Sequence, residues 1–172
     1  METWQLLKNL LLIIVLAVVG FVGYICYRYY EASKFENIAI TTGRYPPGTG
    51  FPPIICSYGA KGFSGISEEH AYFSDGKTRF DATVLAYDQT VIGHSIALNS
   101  QEEYDWTDAS LKGTKGTVAE MEAAALARPA GTHFADLETA VNLSCSPWWF
   151  PDDSLFQIPS DITFTPITSG SQ

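Results

Sequence analysis

Apolar and polar positions divide the chain into three parts. Residues 10–27, LLLIIVLAVVGFVGYICY, carry no charge. At 1.5 Å per residue, this run of about 18 residues reaches about 27 Å, close to the hydrocarbon thickness of a bilayer. It is apolar all round, whereas a core helix carries an apolar stripe. Lys8 precedes the run and Arg28 follows it, and Tyr24, Tyr27, Tyr29 and Tyr30 gather at its far end, where an interfacial aromatic belt would sit. A cleaved signal peptide is the competing reading, with Val15–Ala17 as a passable cleavage site. Apolar sequence continues about ten residues beyond it, which favours an uncleaved anchor. Ile25 stands before Cys26, where a lipoprotein signal needs a small residue.

From Tyr30 to Pro53 the pattern loses its period. TTGRYPPGTGFPP is rich in Gly and Pro, which predicts a partly extended linker holding a domain off the membrane. Beyond it the signals are mainly β. IICSY predicts a first short strand, and EEHAYFSDGKTRFDATVLAYD a hairpin. Its turn is Asp75-Gly76, the dipeptide that supplies positive φ angles. On the second arm Phe80, Ala82, Val84 and Ala86 alternate with Arg79, Asp81, Thr83 and Leu85, so one face is more apolar. TVIGHSIAL and EYDWTD follow as further strands of an antiparallel meander. TVAEMEAAALAR predicts one helix, with Thr117 and Glu120 forming a capping box and Pro129 and Gly131 ending it. Val118, Met121, Ala125 and Leu126 would face the sheet. AVNLSC and ITFTPI predict two late strands, separated by SPWWFPDDSLFQIPSD.

The organisation predicted is a tail at 1–9, a transmembrane anchor at 10–29, a Gly/Pro-rich linker at 30–53, an extracytoplasmic mainly-β domain at 54–168 and a disordered tail at 169–172. The fold class is an N-terminal transmembrane helix followed by an α+β, mainly β, domain. That domain is a curved antiparallel meander with one packed helix, closed by a disulfide.

Composition and charge change this picture little. Of 172 residues, 46% are hydrophobic and 13% aromatic, enough for a core. The formal net charge of -9 opposes nucleic-acid binding. The cysteines say more. Cys26 falls in the span, leaving Cys56 and Cys145 as the soluble pair. A pair flanking one domain is the pattern of an oxidising compartment. Two buried free thiols are the alternative. The positive-inside count is nearly balanced, with Lys8 on one flank and Arg28 and Lys34 on the other. The cysteines therefore place the soluble domain outside the cytoplasm.

Candidate chemistry is sparse. His70, His94 and His133 lie on three separate segments with no metal-ligand spacing. EEYDWTD lacks the glycine turn of a calcium loop. GTKGT is a weak anion site, and Asn142 opens a glycosylation sequon that short patterns produce by chance. No nucleophile elbow, phosphate loop or dinucleotide fingerprint occurs. No cofactor, metal site or enzyme activity is expected. Asp152 or Asp153 is expected to start a short turn that presents Leu155 and Phe156 inward.

CSY at Cys56, AYFSDGKTRFD, HSIAL, YDWTD, GTKGT and LSCSPWWFPDDSLFQIPSDITF occur in that order. With them the chain resembles an uncharacterised family of exported, membrane-anchored proteins of candidate-phylum bacteria. The pattern of that family ends in C-x-P-W…D-x-S-x-F-x-x-P-x-x-I/V-x-F. The resemblance covers about Ile54 to Ile167 and implies an exported domain but no activity. At fold level the order of elements is similar to lipoprotein-carrier domains, in which a helix lies on the concave side of a curved sheet.

Two functions follow as expectations. One is a membrane-tethered, extracytoplasmic binding module whose apolar pocket, for a lipid or similar ligand, is lined by Phe73, Phe80, Val84, Trp106 and Met121. The other is a structural or protein-interaction component of the cell envelope. A pilin-like version of the second is disfavoured, because pilin precursors are cut before the hydrophobic stretch and Gly20-Phe21 lies inside it. The aromatic C-terminal stretch reads as a clamp that closes the fold through Cys145.

Overall fold

The computed structural model describes residues 2–42, 45, 50–62, 65–86, 89–98, 101–126 and 140–167. The first element, α1, is one unbroken helix, Glu2–Thr42. Its 41 residues reach about 60 Å. Leu10, Val15, Leu16, Val19 and Phe21 are exposed along its first half. The second half is amphipathic. Ala32, Phe35 and Ala39, spaced i, i+3, i+7, are fully buried, which is the stripe of a helix on a sheet.

This corrects the expected linker. Residues 30–42 are helix, because that stripe has a sheet to bury against. Of the remaining linker only Tyr45 and residues 50–53 are described.

Eight strands form one sheet: β1 Ile54–Gly62, β2 Gly65–Ser74, β3 Lys77–Ala86, β4 Gln89–Leu98, β5 Glu102–Thr107, β6 Lys112–Thr117, β7 Ala140–Pro147 and β8 Thr163–Pro166. Their order is β7-β1-β2-β3-β4-β5-β6-β8. β1 to β5 are the expected antiparallel meander, and β6, which the sequence does not suggest, continues it antiparallel to β5. β7 adds antiparallel to β1, and β8 adds parallel to β6. At the β2–β3 turn Asp75 and Gly76 have φ of 49° and 75°, the pair of positive values a two-residue hairpin turn demands.

The expected packed helix is α2, Val118–Leu126. Its capping box is formed: the Thr117 amide donates to Glu120 Oε2 at 2.8 Å and the Glu120 amide to Thr117 Oγ1 at 3.2 Å. Met121 is buried beside Gly116 of β6. Yet α2 covers only the β5–β6 end. The packing on the β7–β1–β2 side belongs to α1, whose Ala32 and Phe35 join the core with Ile54, Cys56, Ala71 and Phe73. Pro129, Gly131 and His133 lie outside the described residues, as does the expected 169–172 tail.

α1 runs antiparallel to β7 along the sheet's edge. The Cys145 amide donates to Glu36 Oε2 at 2.6 Å, so the helix satisfies an edge donor that would otherwise invite another strand. Cys56 and Cys145 are opposite in register, with Cα atoms 4.1 Å apart, and form the disulfide. Further along, β7 has one residue more than β1 between the Ser57–Ser144 and Gly59–Val141 pairs, and Asn142 takes a φ of 57° there. A short polar side chain tolerates that bulge conformation.

The core of this region joins Ala32 and Phe35 to Ile54, Cys56, Ala71 and Phe73, with Tyr45, Phe51, Phe80 and Leu143 packed against it. All the strand residues of this cluster share one face. The other face carries Tyr72, Arg79, Asp81, His94, Ile96 and Trp106, placed there by the register.

Candidate functional site

Two constructions stand out. The first lies where α1 meets the sheet. Arg28 is 7% exposed. One guanidinium nitrogen donates to both the Pro53 and Trp148 carbonyls at 3.0 Å, and the other donates to Tyr24 Oη at 2.9 Å. The guanidinium also lies 5.0 Å from the Trp149 ring centre. Trp149 in turn meets Tyr24 and Tyr29 edge-on at 6.1 and 6.2 Å. The Trp148 amide donates to the Pro53 carbonyl at 3.0 Å. One cation therefore ties the helix to the end of the β7–β1 pair where β1 starts and β7 stops. A charged donor on neutral carbonyls makes stronger hydrogen bonds than a neutral one.

The second is a strap across the other face. β7 and β8 are opposite edges of the sheet, so residues 148–162 must cross its width. Seven strand spacings amount to about 34 Å, within reach of about 15 residues. Trp148 packs on Tyr72 at 5.6 Å and on Phe156 at 6.1 Å. Asp152 caps a 3-10 turn, Asp153–Phe156, by accepting from the Ser154 amide at 2.9 Å. Phe156 is buried and Leu155 half-buried, as the sequence predicts. Arg79 Nη1 donates to the Leu155 carbonyl at 2.7 Å, and Lys77 pairs with Asp153 at 3.1 Å. Phe164 then reaches Tyr104 at 5.2 Å and Trp106 at 6.0 Å.

Beneath the strap lies a charged latch. Arg79 Nε donates to Asp81 Oδ1 at 2.7 Å. His94, 8% exposed, bonds Asp81 Oδ1 through Nδ1 at 2.6 Å and Asp108 Oδ1 through Nε2 at 2.8 Å. Ionised carboxylates only accept, so the protonated ring can donate to both, while Arg79 Nη2, itself only a donor, also lies 3.1 Å from Nδ1. Burial pulls the His94 pKa down and Arg79 opposes its charge, but the hydrogen bonds to Asp81 and Asp108 and the Asp81 charge win, and it is raised. Burial likewise pushes Asp81 up, while bonds to His94 and Arg79 outweigh it and hold its carboxyl low. Trp106 stacks on the imidazole at 5.1 Å. The arrangement binds β3, β4 and the β5–β6 turn together.

The expected pocket residues do not converge. Phe73 and Phe80 meet at 6.0 Å, but Phe35, Tyr45 and Phe51 fill the space before them, with Phe35 4.7 Å from Phe73 and 5.1 Å from Phe51, and Tyr45 5.5 Å from Phe80. Met121 shares that face but sits at β6, and Trp106 is on the opposite face. Val84 pairs with Val91 through the backbone, and its side chain lies outside the described part. The Cys56–Cys145 pair is joined as expected. Among the described residues, no three His, Cys, Asp or Glu side chains are grouped to hold a metal ion. GTKGT is strand β6, paired on both sides.

Sequence reasoning missed the roles of Arg28 and His94. Arg28 was visible only as the first charge after the apolar run. Asp81 and His94 are brought opposite by the β3–β4 register, which the sequence does not print.

No protein-family model, curated protein or solved structure matches the chain. The likeness to lipoprotein carriers thus gains no family support. The long apolar helix, of the length and composition of a membrane anchor or signal, and the disulfide suggest a secreted or membrane-anchored protein.

Proposed function

We propose that the chain is a single-pass membrane protein whose extracytoplasmic domain acts as an interaction component of the cell envelope, carried rigidly on its anchor. The observation that carries this reading is the continuity of α1. The same helix is bare and apolar over its first half and enters the core through Ala32, Phe35 and Ala39 over its second. A flexible tether would let the domain tumble, whereas a shared helix fixes its height and tilt.

Carriage of an apolar ligand is less well supported. The rings of Phe35, Tyr45 and Phe51 occupy the ground before Phe73 and Phe80 that such a ligand would need. Interaction through the surface asks for no cavity.

The test is fractionation of cells expressing the full chain with Cys26→Ser and a thiol introduced by Ala109→Cys. Ala109 is exposed in the β5–β6 turn. The expected result is a protein that stays with membranes in alkaline carbonate and reacts with a membrane-impermeant maleimide in intact cells. Release into the soluble fraction, or reaction only after lysis, would overturn the reading.

A further inference from the structure

The exposed tip of the strap raises a question that the anchor alone does not answer. Phe150 is 89% exposed and Trp149 37% exposed. An aromatic pair this bare beside a buried cation needs a surrounding other than water.

The position of the pair along α1 supplies one. Lys8 and Arg28 bound the uncharged segment, and its midpoint falls at Val18. Arg28 is ten residues further on, about 15 Å along the axis. That is half of the roughly 30 Å hydrocarbon core. Trp149 lies 5.0 Å from the Arg28 guanidinium and touches Tyr24 and Tyr29. Trp149 is thus at the level where hydrocarbon gives way to headgroups, and Phe150 is its chain neighbour.

We propose that Trp149 and Phe150 form a second membrane contact, inserting into the headgroup–acyl boundary of the bilayer that α1 spans. The inference rests on the anchor reading and adds that the domain is seated on the lipid surface instead of standing clear of it. Trp at this depth satisfies both an apolar body and a polar edge. Arg28 holds its charge inward, on the Pro53 and Trp148 carbonyls and Tyr24 Oη, so it is shielded where lipid begins. Asp152 and Asp153 follow the tip after Pro151 and are exposed. The contact is therefore apolar and gains nothing from anionic lipid. A second copy of the chain is the competing occupant. The location of the tip beside the end of the apolar run favours lipid.

The test uses the full chain with Cys26→Ser, reconstituted in phosphatidylcholine vesicles. The environment-sensitive fluorophore NBD is attached at Phe150→Cys, Leu16→Cys or Ala109→Cys. Phe150 is exposed enough for its replacement to leave the fold intact. Quenching by doxyl-labelled lipids is then read. The expected result is emission lowered about two-fold or more at 150 by shallow doxyl groups, equally with and without anionic lipid, and no quenching at 109. Quenching at 16 but not at 150 would overturn the second contact and leave the anchor intact. Absence of quenching at both would overturn the two together. A blue-shifted but unquenched probe at 150 would indicate a protein partner and also overturn the proposal.

Discussion

Arg28 and Trp148 stand 120 residues apart in the chain and are joined by a hydrogen bond of 3.0 Å from the guanidinium to the carbonyl. The end of the apolar run of α1 is thereby fastened to the end of β7, at the start of the strap.

Arg28→Met keeps a long apolar stem and removes the donors. Bonds from a charged group contribute about 1.5–3 kcal/mol each; the half-buried Trp148 carbonyl would lose its Arg28 donor, and the Pro53 carbonyl would keep only the Trp148 amide. The urea midpoint of the full chain in micelles should fall by an amount corresponding to about 3 kcal/mol. An unchanged midpoint would show that the junction holds nothing.

Cys145→Ser opens a loop with a sequence separation of 89. Chain-entropy reasoning puts the loss at about 4–5 kcal/mol. The domain should melt well below the wild type under non-reducing conditions, and equal melting would remove the clamp.

The Arg79–Asp81–His94–Asp108 latch makes stability depend on pH in a stated direction. His94 has a raised folded pKa, so its contribution is full below its ordinary value of 6.5 and fades as pH rises through the folded value. Asp81 has a lowered one, so its contribution is full above 3.8 and fades as pH falls through the folded value. The latch is therefore strongest in mildly acid solution. His94→Gln should flatten the decline in Tm between about pH 6 and pH 9. An identical decline in wild type and variant would mean that His94 does not titrate in the latch.

Gly113 lets Phe164 lie flat on β6. A Cβ there would come within 2.6 Å of both the Asp105 carbonyl oxygen and the Phe164 ring. Gly113→Ala should cost about 1–3 kcal/mol through displaced packing, read as a lowered denaturation midpoint. No loss would mean that β8 shifts aside freely.

Features written in neighbouring residues were legible in the sequence. The Asp75-Gly76 hairpin, the Thr117–Glu120 capping box and the Asp152 turn each depend on two to four adjacent positions. The cysteine pair was legible by count and compartment. The second half of α1 was not, because Ala32, Phe35 and Ala39 make a narrow stripe among polar residues whose worth depends on a sheet formed later in the chain. Strand β6 was illegible for the same reason. KGTKGT has little strand preference, and its pairing comes from β5 and β8. The pocket expectation failed on register. Nothing local to Trp106 says that it faces away from Phe80, since that parity is set by the β3–β4 and β4–β5 connections together.

The central claim is that anchor and domain are one rigid body. It is tested most directly by the distance between nitroxides at Val18→Cys and Ala109→Cys, in full-length Cys26→Ser protein in lipid nanodiscs. Pulsed electron paramagnetic resonance should give a single narrow distribution that broadens in Arg28→Met. A broad distribution in the parent protein would mean that the helix is interrupted after the membrane, and the account would be contradicted.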